Sequence, residues 1–131
     1  AGTFAGNPIV MRAGLATLKN LNSPFYKTLN LVAEDFAQSV NAFFQAKKIN
    51  AHVSNYKSMF SLRFRRREVR NYTDAQSAGS NAIYSKLFNH LVKNQIYLPP
   101  ADLEAFFISS AHSRKNLSSL AKTLNSFNQY A

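Results

Sequence analysis

The chain has no cysteine and no tryptophan among its 131 residues. Absence of cysteine removes disulfides, thiolate-ligated zinc and a thiol nucleophile together, and it suits a reducing compartment. Acidic residues are scarce: six Asp and Glu stand against 16 Lys and Arg, for a net charge of +10. Glycine and proline number four each, and no internal repeat or low-complexity tract appears. No apolar run reaches the length needed to span a bilayer, and no basic-then-apolar stretch opens the chain. These absences set aside membrane spans and secretory leaders and leave a cytosolic or organelle-matrix protein as the expectation.

What is present is a globular composition, 46% hydrophobic and 13% aromatic, with eleven Phe and six Tyr. The length fits one domain around one Phe-dominated core. Asn7-Pro8 reads as a helix start, because Asn caps and Pro tolerates the first helical position. That helix is expected to reach Leu18–Asn20. Ser23-Pro24 repeats the signal. Leu29, Val32, Phe36, Val40, Phe43 and Phe44 then recur at three-and-four spacing, which predicts one long amphipathic helix ending near Lys47-Lys48. Ala51–Ser54 and Met59–Phe64 read as two strands around a turn at Asn55–Ser58, with Phe60, Leu62 and Phe64 on one face. Thr73 is expected to cap a third helix that includes Ile83, Leu87, Phe88 and Leu91. Gln95–Leu98 and Ala105–Ser109 read as short strands, and Ser113 caps a last helix with Leu117, Leu120, Leu124 and Phe127 on one face. The expected order is α-α-β-β-α-β-β-α, an α+β fold with a small, mostly antiparallel sheet against helices.

The opening residues Gly2-Thr3-Phe4-Ala5-Gly6-Asn7-Pro8 combine small residues, a hydroxyl and a helix start, a combination suited to holding an anion. Later stretches give that loop a context. Gly2–Pro8 with Met11 and Ala13–Leu18, then Ser58-Met59-Phe60, then Tyr97-Leu98-Pro99-Pro100, Glu104–Phe107 and Ser110-Ala111-His112 recur in order across essentially the whole chain. In these residues the chain resembles the C-terminal part of the class III pyridoxal-phosphate-dependent aminotransferases, and among them the aminomutase branch.

The resemblance implies several things. The fold would be the C-terminal domain of the fold type I architecture. Residues 1–22 would form a phosphate-contacting loop and interface helix, and residues 23–131 the small α+β domain. Gly2 and Thr3 would reach the phosphate of a pyridoxal or pyridoxamine 5'-phosphate held mainly by the other subunit of a homodimer, where a hydroxyl and backbone N–H groups donate to a dianion. Glu104 matches a carboxylate at the substrate pocket. Phe106 departs from the family, where glycine is usual, and bears on the pocket's shape near Glu104. The implied activity moves an amino group between adjacent carbons to give 5-aminolevulinate for tetrapyrrole synthesis, in the cytoplasm or, in a plant, the plastid stroma. The cofactor's lysine would lie upstream of Gly2 in a large domain, so the chain alone is expected to be non-catalytic and to hold no cofactor stably. Another class III aminotransferase, acting on an amino acid or amine, is the nearest alternative. A non-catalytic basic binding module is an alternative of a different kind.

Other residues have plainer readings. On composition alone Glu104 is an ordinary exposed carboxylate. His112 reads as a structural hydrogen-bonding group before the last helix, and His52 and His90 as surface or edge residues. No His/Asp/Glu cluster has metal-ligand spacing. The cluster Arg63, Arg65, Arg66, Arg67 and Arg70 reads first as a solvated strand end, next as a contact with another domain, and last as a nucleic-acid site. The apolar stripe of the second helix is broad enough that part of it is expected to face another domain, which predicts self-association of the isolated chain.

Overall fold

A computed structural model describes residues 2–65, 69–77 and 81–127. Two helices come first, α1 (Pro8–Asn20) and α2 (Ser23–Ala46). A hairpin of β1 (His52–Tyr56) and β2 (Met59–Arg63) follows. Then come α3 (Tyr72–Ser77), α4 (Asn81–Lys93), β3 (Phe106–Phe107) and α5 (Arg114–Ser126). The sheet is antiparallel in the order β1-β2-β3, so the expected α+β class holds. The expected order needs one correction: among the described residues Gln95–Leu98 joins no sheet. The expected third helix is described in two parts, α3 and α4, and residues 78–80 between them lie outside the described residues.

The helix ends follow from local chemistry. The Asn7 side chain accepts hydrogen bonds from the N–H groups of Ile9 and Val10, and Pro8 occupies the first turn without a donor to satisfy. For α2 the cap is Asn22, accepting from Phe25 N–H at 3.0 Å, rather than Ser23. Both α2 and α4 stop in the same way. Lys48 (φ 55°) and Gln95 (φ 62°) turn left-handed. The next N–H then reaches back, from Ile49 to the Phe44 carbonyl and from Ile96 to the Leu91 carbonyl, both at 2.9 Å. That reversal is why Gln95–Leu98 leads away from α4 as a connection. Asn71, not Thr73, caps α3, its side chain accepting from Asp74 N–H at 2.9 Å. Ser113 caps α5 as expected, in a reciprocal capping box with Asn116.

The hairpin turn is tighter than the sequence implies. Tyr56 and Met59 are directly paired, so Lys57 and Ser58 alone connect the strands, with Lys57 at φ 55°. Phe60 and Leu62 face the core together with Val53, as alternation requires. The core is Phe-rich: Phe36 of α2 meets Phe60 edge-on at 5.7 Å, and Phe106 of β3 stacks on Phe60 at 5.3 Å. Leu87 and Leu91 of α4 and Leu117, Leu120 and Leu124 of α5 complete it. Asn41 of α2 fastens the sheet edge. Its amide donates to the Val53 carbonyl at 2.7 Å and accepts from Val53 N–H at 2.8 Å.

Candidate functional site

The opening loop is a pair of tight turns. Ala5 N–H donates to the Gly2 carbonyl and Asn7 N–H to the Phe4 carbonyl, at 2.9 and 3.1 Å. Gly6 sits at φ 78°, a conformation that favours glycine. Asn7 occupies the first donors of α1, so this helix start is already satisfied and is not the anion site itself. Thr3 is exposed, and its hydroxyl takes no part in these turns or in the cap. Around Gly2 a Cβ would meet no other atom within 4 Å, so a ligand can approach the backbone there.

Glu104 lies on the turn between Pro100 and β3. Its N–H closes that turn on the Ala101 carbonyl at 3.2 Å. Its side chain is exposed at a cleft of about 710 Å³, whose walls include Tyr97, Pro99, Phe107, His112 and Asn116. His112 has the structural role expected of it: its Nδ1 accepts from Ser109 N–H at 3.0 Å. The cleft takes no residue from the 2–7 loop. Within this one chain, Thr3 and Glu104 therefore do not share a site.

Phe106 contributes to the lining of the cleft. Its ring is buried and stacks on Phe60, while Phe107 takes the exposed side of the strand. His90 departs from expectation. It lies between α4 and α5, with Nε2 3.2 Å from the Thr123 carbonyl and the ring against Phe127.

The arginine cluster is not one solvated patch. Arg63 is 5% exposed and faces Asp102 of the Glu104 turn, Nη1 to Oδ2 at 3.3 Å. The approach falls short of hydrogen-bond geometry, and among the described residues Nε and Nη1 have no hydrogen-bond acceptor. Arg65 donates to the Asp74 carbonyl at 2.6 Å. Arg66 and Arg67 lie outside the described residues. Beside Arg63, the Tyr84 hydroxyl donates to the Pro99 carbonyl at 2.8 Å. Burial pushes the Tyr84 phenol above its ordinary value; the Asp102 carboxylate adds to this, and Arg63 opposes it. Sequence patterning places Arg63 outward because a lone charged residue is normally solvated. Its partner, a carboxylate far along the chain, leaves no local signal.

Among the described residues no group of His, Asp and Glu could hold a metal ion, and no helix is long and apolar enough to cross a membrane. For a pyridoxal phosphate the fit is partial. Thr3 offers a hydroxyl, and the open space at Gly2 admits a phosphate. The cleft beside Glu104 has no lysine in its walls, so the amine that such a cofactor needs does not come from there.

No protein-family model matches the chain. It is 35% identical over 130 residues to the glutamate-1-semialdehyde 2,1-aminomutase of Clostridium kluyveri, covering 97% of this chain and 31% of that protein. It is 34% identical over 124 residues to the protein of the same name from Methanobrevibacter smithii, covering 95% and 29%. Among solved structures, a β-phenylalanine aminotransferase from Variovorax paradoxus superposes with a TM-score of 0.84 at 24% identity, over 97% of this chain and 29% of that one. A glutamate-1-semialdehyde aminomutase from Pseudomonas aeruginosa, in complex with PMP, gives 0.81 at 20% identity, over 95% and 28%. These likenesses show the fold, that of a C-terminal domain of the fold type I aminotransferase architecture. Within that architecture, the sequence is similar over nearly its whole length to the glutamate-1-semialdehyde 2,1-aminomutases. The chain spans less than a third of the length of these curated relatives.

Proposed function

We propose that this chain is the C-terminal domain of an enzyme that converts glutamate 1-semialdehyde to 5-aminolevulinate, the precursor of tetrapyrroles, and that it contributes to the site without being catalytic alone. The observation that carries the reading is the similarity to the aminomutases along the whole chain, with the matching Glu104 exposed at the mouth of a cleft. The reaction is an isomerisation in which the amino group and the carbonyl oxygen exchange carbons. Bound pyridoxamine phosphate supplies the amine and the electron sink for such an exchange.

This chain's part is to bind and orient. The Thr3 hydroxyl and backbone donate to the cofactor phosphate of a partner subunit in a homodimer, with residues 1–22 as the arm that crosses the interface and residues 23–131 as the body. Glu104 accepts hydrogen bonds from the substrate's nitrogen and repels its carboxylate, which fixes the direction in which the substrate lies. The walls formed by Tyr97, Pro99 and Phe107 limit water around it. An enzyme of this kind works in the cytoplasm.

The test joins this chain to the upstream part of the Clostridium kluyveri relative, in place of the residues that it matches. The expected result is formation of 5-aminolevulinate from glutamate 1-semialdehyde, weaker retention of the cofactor in Thr3→Ala, and a raised KM in Glu104→Gln. A folded, cofactor-loaded hybrid that forms no 5-aminolevulinate refutes the reading. If that hybrid instead transfers an amino group from an amine or another amino acid to a keto acid, the chain belongs to another class III aminotransferase. The burial of Arg63 and the backbone contact of Arg65 count against a nucleic-acid-binding module.

A further inference from the structure

We propose that Arg63 and Asp102 form a buried strut that sets the position of Glu104, which makes both of them positioning residues for the substrate pocket. The proposal rests on the reading of Glu104 as a pocket residue.

Three attachments hold the segment that carries Glu104. Ahead of it, Tyr84 ties the Pro99 carbonyl to α4 at 2.8 Å. Behind it, Phe106 and Phe107 pair with Phe60 and Met59 of β2. Between these points, the only charge–charge contact among the described residues is Asp102 with Arg63, at 3.3 Å and with side chains 12% and 5% exposed. Asp102 is two residues from Glu104 and lies in the same turn, closed by the bond from Glu104 N–H to the Ala101 carbonyl. Neither Arg63 nor Asp102 lines the cleft, so neither touches the substrate. Both act through the turn.

The energetics favour a positioning role over a stabilising one. A buried ion pair recovers little more than its own desolvation, and this one is imperfect, since Nε and Nη1 of Arg63 lack hydrogen-bond acceptors among the described residues. An apolar pair at these sites would serve the core as well or better. What an apolar pair cannot supply is a charge–charge attraction from the end of β2 to the turn. Arg63 is rigidly placed because it belongs to the β1–β2 ladder, opposite His52. The guanidinium therefore transmits the sheet's position to Asp102, and Asp102 transmits it to Glu104.

The experiment uses the hybrid enzyme described above, with Asp102→Asn, Asp102→Glu and the double variant Arg63→Met/Asp102→Leu. The double variant leaves no buried charge unpaired, so it keeps the fold while losing the link. The proposal expects it to raise KM for glutamate 1-semialdehyde about tenfold with kcat changed less than about twofold. Amide exchange in residues 101–105 should accelerate by a similar factor. Asp102→Asn should move both readouts the same way, and Asp102→Glu should restore part of each. Parental KM and parental exchange in the double variant overturn the proposal. So does the same pair of results in Asp102→Asn, which is the deciding variant if the double one does not fold. If the parent hybrid forms no product, the functional reading fails by itself, and the exchange measurement still decides whether the strut holds the turn.

Discussion

Replacing Phe106 by alanine tests the central claim about this domain, that the Phe106 ring belongs to its core. The ring is 8% exposed and lies parallel to Phe60, 5.3 Å between centroids and 14° between planes. Phe60 in turn meets Phe36 of α2 edge-on, so the ring ends a stack that ties β3 through β2 to the longest helix. Truncating a buried Phe to Ala costs about 3–5 kcal/mol, the lost transfer energy plus the cavity left behind. About 0.5–1.5 kcal/mol of that should appear as coupling to Phe60 in a double-mutant cycle with Phe60→Ala. Set against a total stability of roughly 5–15 kcal/mol for a domain, the variant should fold but with a much reduced urea midpoint. Far-UV circular dichroism suits the measurement, since the chain has no tryptophan to follow. A loss below about 1 kcal/mol would refute the reasoning. It would mean that the ring contributes little to the core despite its contact with Phe60.

Two further predictions follow from single contacts. Asn41→Ala leaves the N–H and C=O of Val53 without their partner; it should cost about 2–4 kcal/mol and accelerate amide exchange at Val53, both read in one denaturant series. Tyr84→Phe removes the bond to the Pro99 carbonyl and should cost about 1 kcal/mol at neutral pH. The phenol's value is raised in the folded state. Its contribution is therefore whole below its ordinary value near 10.0 and is lost as pH rises through the folded value, because the unfolded chain releases the proton first. The difference in stability between the parent and Tyr84→Phe should shrink above about pH 10, and a difference that stays constant or grows there contradicts the assignment.

What the sequence reveals of this fold depends on how far apart the interacting groups are. Asn7-Pro8 and Ser113 mark helix starts because a cap bonds to an N–H two or three residues on. Phe60 and Leu62 mark a core-facing strand because a period of two is local. The turns at Lys57 and Gln95 are less visible, since left-handed backbone is usually signalled by glycine or asparagine; here lysine and glutamine adopt it. Arg63 is missed for a different reason. Its burial is decided by Asp102, and nothing within a helical turn or a strand of either residue announces the other. At the candidate site, Glu104 and Thr3 are visible only through family resemblance, because an exposed carboxylate and an exposed hydroxyl have no distinguishing local pattern.

The helix α1 shows why the site is divided in this way. None of its residues is buried, and Ile9, Met11, Leu15 and Leu18 are all exposed. A helix of 13 residues is marginal in water without tertiary packing. Here Asn7 satisfies its first donors, and Leu21 N–H returns to the Leu18 carbonyl at its end, yet neither cap covers an apolar side chain. The body formed by α2 to α5 buries its own Phe-rich core without using α1. The apolar surface of α1 is therefore in excess of what this domain needs, and it lies directly after the loop that carries Thr3, which does not line the Glu104 cleft. On the proposed reading, Thr3 and Glu104 serve sites that this chain does not bring together, so each is completed by surfaces from other parts of the enzyme. An arm with an uncovered apolar face is suited to bringing Thr3 to them.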